Sequence, residues 1–384
     1  MKLQPRVLLI SGQAERYGAD RALRTLAEGW QGRGWDVMVA VPGPGPLVDD
    51  LAALGIPTTF VDPAVIRRMD GAHGMARLVG GGAIRSALRV RRLIRRWEPD
   101  VVYVNAVVIV GGLLGAVWSG RPTVCHIRES FADHRSLWRA YGKLLRRLPV
   151  RLIAVSTGIA QEAEDAGLGG QTVMIHDGVQ FREVDDPRRI VERRPGIVCI
   201  GRINDSKGQD DLVCAARLLR DHGITAPVLF AGDVFPGGES HREHLVDLID
   251  KQGMADQVQL LGWIDDPTSL LDTWSIYVQP TARPEPFGLA LVDAMAAGMA
   301  CVATDAGGPR DIIRNGETGL LVPPRRPEDL AAAIERLWRD DELRQSLGRA
   351  ASADVRERFS ASRNVERCEE VLRQAIAGRS RRRR

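Results

Sequence analysis

The sequence has few aromatic residues, and its cysteines do not cluster. Phenylalanine, tryptophan and tyrosine make up 5% of the 384 residues, although 44% are hydrophobic. The five cysteines are scattered without a Cys-x-x-Cys pair. This spacing favours a reducing compartment over a zinc site or a disulfide framework. No Asp-x-Asp motif is present either, which favours a protein that does not bind Mg²⁺ through such a pair of carboxylates.

Long uncharged runs are also nearly absent. The exception is residues 101–120, which carry no charge over the length of a membrane span. Asn105 and four glycine or serine residues interrupt this run, and a strand pattern opens it. We therefore predict a strand, a loop and a buried helix there. Because no secretory signal is evident either, the expected location is cytoplasmic.

Excess positive charge is concentrated at the end of the chain. The net charge is +4, and the tail 379–384 contains five arginines. Two interpretations stay open: a disordered, solvated end, or attraction to anionic lipid. Nucleic acid is not expected as a partner, because no aromatic residues are interleaved with the arginines.

A second basic segment, residues 75–97, includes an amphipathic helical pattern. Its predicted apolar face contains Leu88, Leu93, Ile94 and Trp97, and arginines fill the opposite face. We expect a surface helix that packs on a sheet. The alternative is a helix that rests on an acidic membrane surface.

Strands alternate with helices along most of the chain, which predicts parallel sheets covered by helices. Predicted strands occupy residues 6–10, 36–41, 58–61, 101–105, 123–127, 151–155, 172–175 and 196–200, with later ones near 227, 258 and 276. The charged, proline-containing residues 178–195 predict a linker. The expected organisation is an N-terminal domain 1–177, this linker, a C-terminal domain 196–358, a last helix 359–378 and the tail 379–384.

One apolar helical stretch carries two carboxylates eight residues apart. Asp293 is the lone charge inside the stretch, and Glu285 lies in a proline-flanked turn just before it. A buried carboxylate needs a partner or a cleft. Phe287, Gly288 and Leu289 open the helix, so their N–H groups favour an anion. This arrangement suggests a site for a sugar attached to a phosphate.

Other strand ends carry further candidates. Arg202 and Lys207 leave the strand 196–200 on a short loop, which suits the charge of a pyrophosphate. His126 lies at the end of another strand, where a lone histidine is more often structural. The glycine loop that ends at Gly18 follows the first strand, but alone it serves a turn as readily as a phosphate.

Together these motifs resemble the retaining glycosyltransferases of family 4. The resemblance rests on the spacing of Glu285 and Asp293, on the Arg-x-x-x-x-Lys-Gly that contains Arg202 and Lys207, and on the stretches 303–313 and 315–323. One departure is the second acid, which is normally Glu in that family and here is one methylene shorter.

The resemblance implies an α/β GT-B fold, with two Rossmann-like domains facing across a cleft and a C-terminal helix crossing back to the first domain. It implies a retaining transferase that needs neither metal nor cofactor and uses a UDP- or GDP-sugar. The family pattern assigns the diphosphate to Arg202 and Lys207, together with the helix start at Phe287, Gly288 and Leu289.

The remaining roles implied by the resemblance concern the sugar and the nucleoside. Glu285 and His126 would contact the donor sugar and Asp293 the ribose, while Trp263 would lie in the loop beside the base. Gly18 would line the site.

The expected acceptor is a lipid-linked cell-envelope or exopolysaccharide glycan, with the protein held peripherally at the inner membrane face. A small natural-product acceptor is the second choice. A nucleotide-sugar epimerase of the same fold remains a rival, as does a non-catalytic lipid- or nucleic-acid-binding protein that uses the arginine tail.

Overall fold

The computed structural model describes residues 4–66, 81–181, 193–235 and 237–382. They form two compact units. Unit 1 comprises Met1–Gln180 and Ala361–Arg384, and unit 2 comprises Phe181–Ser360. Of the predicted linker, residues 182–192 lie outside the described residues, and so do residues 75–80 of the predicted basic helix.

Unit 1 contains a parallel sheet whose described strands follow the order β3-β2-β1-β4-β5-β6-β7. Valine, leucine and isoleucine are frequent in the central strands and are mostly buried there on both faces, as is typical of parallel sheets. The strands are β1 (Arg6–Ile10), β2 (Asp36–Val41), β3 (Thr58–Phe60), β4 (Val101–Val104), β5 (Thr123–Ile127), β6 (Val150–Ala154) and β7 (Thr172–Met174).

Helices alternate with these strands. They are α1 (Gly18–Gly32), α2 (Pro46–Ala53), α3 (Ala83–Trp97), α4 (Val110–Trp118), α5 (Arg135–Leu145) and α6 (Thr157–Asp165). In the uncharged run 101–120, the predicted strand, loop and buried helix are confirmed as β4, its loop and α4. Within the described ranges, no helix is both long and apolar enough to cross a membrane.

Unit 2 repeats this arrangement with a parallel sheet in the order β10-β9-β8-β11-β12-β13. Its strands are β8 (Arg194–Ile200), β9 (Val228–Ala231), β10 (Val258–Gly262), β11 (Trp274–Gln279), β12 (Ala300–Thr304) and β13 (Leu320–Val322). Its helices are α7 (Gln209–Asp221), α8 (Glu239–Lys251), α9 (Thr268–Thr273), α10 (Leu289–Ala296), α11 (Pro309–Ile312), α12 (Pro327–Arg339) and α13 (Asp341–Arg358).

The last helix, α14 (Ala361–Arg382), follows unit 2 in sequence but belongs to unit 1. The indole N–H of Trp30 on α1 donates to the Val365 carbonyl at 3.2 Å. A Cβ at Gly29 would collide with the Val365 side chain, so glycine permits this close approach. Glu369 of α14 also accepts from the indole N–H of Trp35 at 3.0 Å. These contacts confirm the predicted return of the C-terminal helix to the first domain.

The predicted apolar face of the basic helix was wrong at Leu88, which is 38% exposed. Small residues such as Ser86 and Ala87 face α4 instead. A Cβ at Gly111 or Gly115 of α4 would collide with this side of α3. The helices therefore approach through small side chains, and the larger Leu88 lies outside the contact.

Of the two interpretations of the tail, a disordered end does not hold for its first residues. Helix α14 continues from residue 378 to Arg382, since arginine is a good helix former. Arg383 and Arg384 lie outside the described residues.

Candidate functional site

The loop that carries Arg202 and Lys207 joins β8 to α7 at the carboxyl edge of the unit 2 sheet. Gly208 precedes α7 with a φ of +67°, a backbone conformation that favours glycine. A Cβ there would collide with the Pro280 carbonyl. The Ala282 N–H donates to the Ser206 carbonyl at 3.0 Å. These contacts hold the loop of Arg202 and Lys207 against the segment that follows β11.

Two predicted site residues meet as a result. Lys207 Nζ lies 2.5 Å from Glu285 Oε2, although 78 positions separate them in the sequence. The side chain of Lys207 is 25% exposed and that of Glu285 is 15% exposed. The structure therefore brings the candidate phosphate-binding cation and the first acid of the motif together.

The turn that contains Glu285 is held by the loop after β12. The Glu285 N–H donates to the Ala306 carbonyl at 3.3 Å, and the Gly308 N–H donates to the Glu285 carbonyl at 2.7 Å. A Cβ at Gly307 or Gly308 would collide with the backbone of this turn. The stretch 303–313 therefore needs its paired glycines so that the two loops can approach.

The start of α10 presents backbone N–H groups that have no acceptor within the helix. Gly288 precedes the helix with a φ of +120°, and its carbonyl accepts from the Val292 N–H at 3.1 Å. The N–H groups of Leu289 and Ala290 precede this first helical bond and have no acceptor within the helix. Phe287, just before it, is buried with its ring 5.6 Å from that of Phe359. The helix start therefore has the donors and the dipole that favour an anion.

The second acid and the first influence the same buried tyrosine. Burial raises the pKa of the Tyr277 phenol well above its ordinary value, and the charges of Glu285 and Asp293 raise it further. Both carboxylates therefore act on one buried ring of β11. Asp293 projects from the second turn of α10, where it is partly buried.

Arg202 is positioned by an aromatic residue that the sequence analysis missed. Its guanidinium lies 4.3 Å from the centre of the Phe235 ring, within the range of a cation–π contact. Gln209 Nε2 donates to the Arg202 carbonyl at 2.8 Å. The one signal in the sequence was an aromatic residue in the loop that follows β9.

Trp263 follows β10 at the same sheet edge. Its indole N–H donates to Asp265 Oδ1 at 3.0 Å, and its side chain is exposed. The Gly232 N–H donates to the Gly262 carbonyl at 2.8 Å, which joins the loops after β9 and β10. Because parallel strands end at a common edge, Trp263 and the loop of Arg202 occupy the same edge of unit 2.

The remaining predicted residues belong to unit 1. Gly18 begins α1, and the nearby Ala19 carbonyl accepts from Asn105 Nδ2 at 2.9 Å. His126 lies in β5 and is fully buried.

His126 sits in a polar network that sequence reasoning did not find. Its Nδ1 lies 2.6 Å from the Tyr103 hydroxyl and 3.2 Å from Arg128 Nη2. Arg128 forms a buried ion pair with Asp177. Burial lowers the pKa of the His126 imidazole well below its ordinary value, and the Arg128 charge lowers it further. Both effects favour the neutral form of the imidazole.

Within the part of the chain that the structure describes, no group of three or more His, Cys, Asp and Glu side chains could hold a metal ion.

Comparison with known proteins places these features in a family. Residues 17–182 match the family model described as Glycosyltransferase Family 4, and residues 180–354 match Glycosyl transferases group 1. An α-D-kanosaminyltransferase of Streptomyces kanamyceticus is 31% identical over 193 residues, which make up 48% of this chain and 48% of that protein. An exopolysaccharide phosphotransferase of Streptomyces coelicolor is 39% identical over 144 residues, or 37% of this chain and 15% of that protein. The chain thus spans less than half the length of either relative.

Structural similarity covers almost the whole chain. The crystal structure of Anabaena HepE in complex with UDP-glucose matches with a TM-score of 0.82 at 21% identity, over 96% of this chain and 99% of that one. Two family models that together extend over residues 17–354, and this agreement in fold, lead to one conclusion: the chain belongs to the family 4 glycosyltransferases and has the GT-B fold.

Proposed function

We propose that this protein transfers a sugar from a nucleotide-sugar donor to a hydroxyl acceptor and retains the anomeric configuration. The observation that carries the proposal is the contact between Lys207 and Glu285 at the carboxyl edge of the unit 2 sheet. It combines a cation for a leaving phosphate with a carboxylate for sugar hydroxyls.

The difficult step in such a reaction is the departure of a nucleoside diphosphate. Arg202 and Lys207 supply two positive charges, and the start of α10 supplies oriented N–H groups. Fixed donors of this kind stabilise negative charge as it develops. We propose that they do so here without a metal ion or cofactor.

Other side chains would hold the rest of the donor. We assign the sugar hydroxyls to Glu285 and His126, the ribose to Asp293 and the neighbourhood of the base to Trp263. Positioning of this kind lowers the barrier by orienting the reactants. The departing phosphate would help to accept the proton of the acceptor hydroxyl, so no separate general base is assigned.

A UDP-sugar is our first choice of donor, supported by the complex of HepE with UDP-glucose; a GDP-sugar is the second. Thermal stabilisation by UDP-, GDP- and dTDP-sugars would rank them, because a ligand at 100 times its dissociation constant adds about 2.7 kcal/mol. Transfer is then tested by supplying acceptors. Nucleoside diphosphate released only when an acceptor is present supports transfer, whereas interconversion of the donor without an acceptor supports the epimerase alternative.

We propose a lipid-linked exopolysaccharide or cell-envelope acceptor, reached from the inner membrane face. The support is the exposed face of α3, where Ile84 and Leu88 lie among five exposed arginines: Arg85, Arg89, Arg92, Arg95 and Arg96. None of these arginines forms an ion pair with another residue that the structure describes. Arginines near an anionic bilayer contribute about 1 kcal/mol each.

Sedimentation with phosphatidylglycerol vesicles tests this contact. Replacing Arg89 and Arg92 with glutamate should reduce binding, whereas the same exchange at Arg336 and Arg349 of unit 2 should not. Equal losses in both variants would show that only total charge matters.

A small natural-product acceptor is the second candidate, and the similarity to an α-D-kanosaminyltransferase favours it.

A further inference from the structure

A buried polar atom in unit 1 lacks a partner among the described residues. Nε2 of His126 is inaccessible to solvent and makes no hydrogen bond with any of them. Buried polar groups in folded proteins are almost always bonded. This exception calls for a physical explanation.

The partners of the other ring nitrogen determine where the proton lies. Nδ1 of His126 faces both the Tyr103 hydroxyl and Arg128 Nη2. A guanidinium has five donors and no acceptor, so Nδ1 must accept and carries no proton. The neutral ring therefore carries its proton on Nε2, and the unpartnered atom is a donor.

Arg128 is held in place on its other sides. It pairs with Asp177, and its Nε donates to the carbonyl and side-chain oxygens of Asn105 at 3.1 and 3.2 Å. The groups that act on the ring and its partners are thus Tyr103 on β4, Arg128 after β5, Asp177 after β7 and the Cys368 thiol of α14. Arg128 disfavours a charged imidazole, which adds to the effect of burial.

We infer that Tyr103 and Arg128 are positioning residues that lock His126 as a neutral ring with its proton on Nε2. This N–H then donates to a hydroxyl oxygen of the donor sugar. The protonation state of His126, which we call the lock, is argued from residues of unit 1 alone, while the identity of the ligand rests on the proposed function. In this role His126 is a hydrogen-bond donor and does not transfer protons.

Nitrogen-15 spectra of histidine-labelled protein test the lock directly. The His126 signals are assigned by their loss in His126→Gln. We expect Nδ1 to be unprotonated and the ring to stay neutral from about pH 5 to about pH 8, where an ordinary histidine titrates. Protonated Nδ1, or titration near the ordinary histidine value, would overturn the inference.

Kinetics of Tyr103→Phe provide the second test. Loss of one hydrogen bond to Nδ1 should raise KM for the donor sugar roughly fivefold, with a smaller change in kcat, and should make the ring easier to protonate. Tyr141→Phe is the matched control, because that partly buried hydroxyl donates to the Val107 carbonyl at 2.9 Å and not to the histidine. Equal effects in both variants would mean that Tyr103 acts only through stability.

Replacements of His126 itself test the donor. Glutamine can place an N–H near the position of Nε2, and asparagine reaches only the position of Nδ1. We expect His126→Gln to retain donor affinity at least tenfold better than His126→Asn. The reverse order would contradict Nε2 as the donor. If nitrogen-15 spectra confirm the lock but no nucleotide sugar binds, the proposed function fails and the lock stands; if transfer occurs but His126 titrates normally, the lock fails alone.

Discussion

Each unit contains a cation paired with a carboxylate, and the two pairs differ in exposure. In unit 1, the side chains of Arg128 and Asp177 are 6% and 4% exposed. In unit 2, those of Lys207 and Glu285 are 25% and 15% exposed. The first pair also bonds to Asn105 and the imidazole, whereas the second lies beside a helix start that favours anions.

This difference in exposure indicates different roles for the two ion pairs. Removing one partner of a buried pair strands a charge in a medium that solvates it poorly. A partly exposed pair retains water as an alternative partner and contributes little to stability. We therefore interpret the pair in unit 1 as part of the framework and the pair in unit 2 as a ligand-binding pair.

The largest expected effect tests the framework. Asp177→Asn keeps the shape of the side chain but leaves Arg128 without its counter-ion, so unit 1 should lose about 3–5 kcal/mol of stability. Urea unfolding followed by tryptophan fluorescence measures the change. Lys207→Ala is the comparison in unit 2 and should cost no more than about 1 kcal/mol. Equal losses would erase the distinction between the pairs.

The next effect tests the ligand-binding pair. Lys207→Ala removes one of the two cations proposed to stabilise the leaving diphosphate, so the chemical barrier should rise by about 2–4 kcal/mol. Single-turnover transfer assays measure it. Lys251→Ala, at the exposed end of α8, is the matched control and should behave like wild type. Normal turnover in both variants would contradict the assignment of Lys207 to the diphosphate site.

A third carboxylate, that of Glu369, tests whether charge contributes to the stability of unit 1. Bonds to Trp35, Arg33 and Arg373 outweigh the opposing effect of burial and lower the pKa of the Glu369 side chain. A lowered folded-state pKa gives stability that is present above the unfolded value and is lost as the pH falls through the folded one. Glu369→Gln should therefore cost roughly 1–2 kcal/mol at pH 7 and less in acid. A cost that does not shrink on acidification would mean that the charge contributes nothing.

The smallest effect concerns the shorter second acid. Asp293→Glu adds one methylene and restores the residue usual in family 4, so donor affinity should equal or exceed that of wild type. Isothermal titration with the preferred nucleotide sugar measures it. A large loss would show that this pocket is built around aspartate.

The contact between Lys207 and Glu285 in unit 2 was easier to predict from the sequence than the polar network of unit 1, for a physical reason. Lys207 and Glu285 lie in short loops at strand ends, where residue type and spacing report on ligands directly. Tyr103 and Asp177 meet through the packing of separate elements, and a tyrosine within a buried strand looks like ordinary core. The face of α3 was misassigned because the glycines that set its orientation belong to a different helix.

The most direct test of the account is the binding of a free nucleoside diphosphate, measured by calorimetry. We predict that the wild-type protein binds UDP or GDP at one site and that Lys207→Ala weakens binding at least tenfold, a change of about 1.4 kcal/mol. Asp177→Asn, assayed below its unfolding temperature, should bind like wild type. Unchanged affinity in Lys207→Ala would contradict the claim that this cation binds the diphosphate.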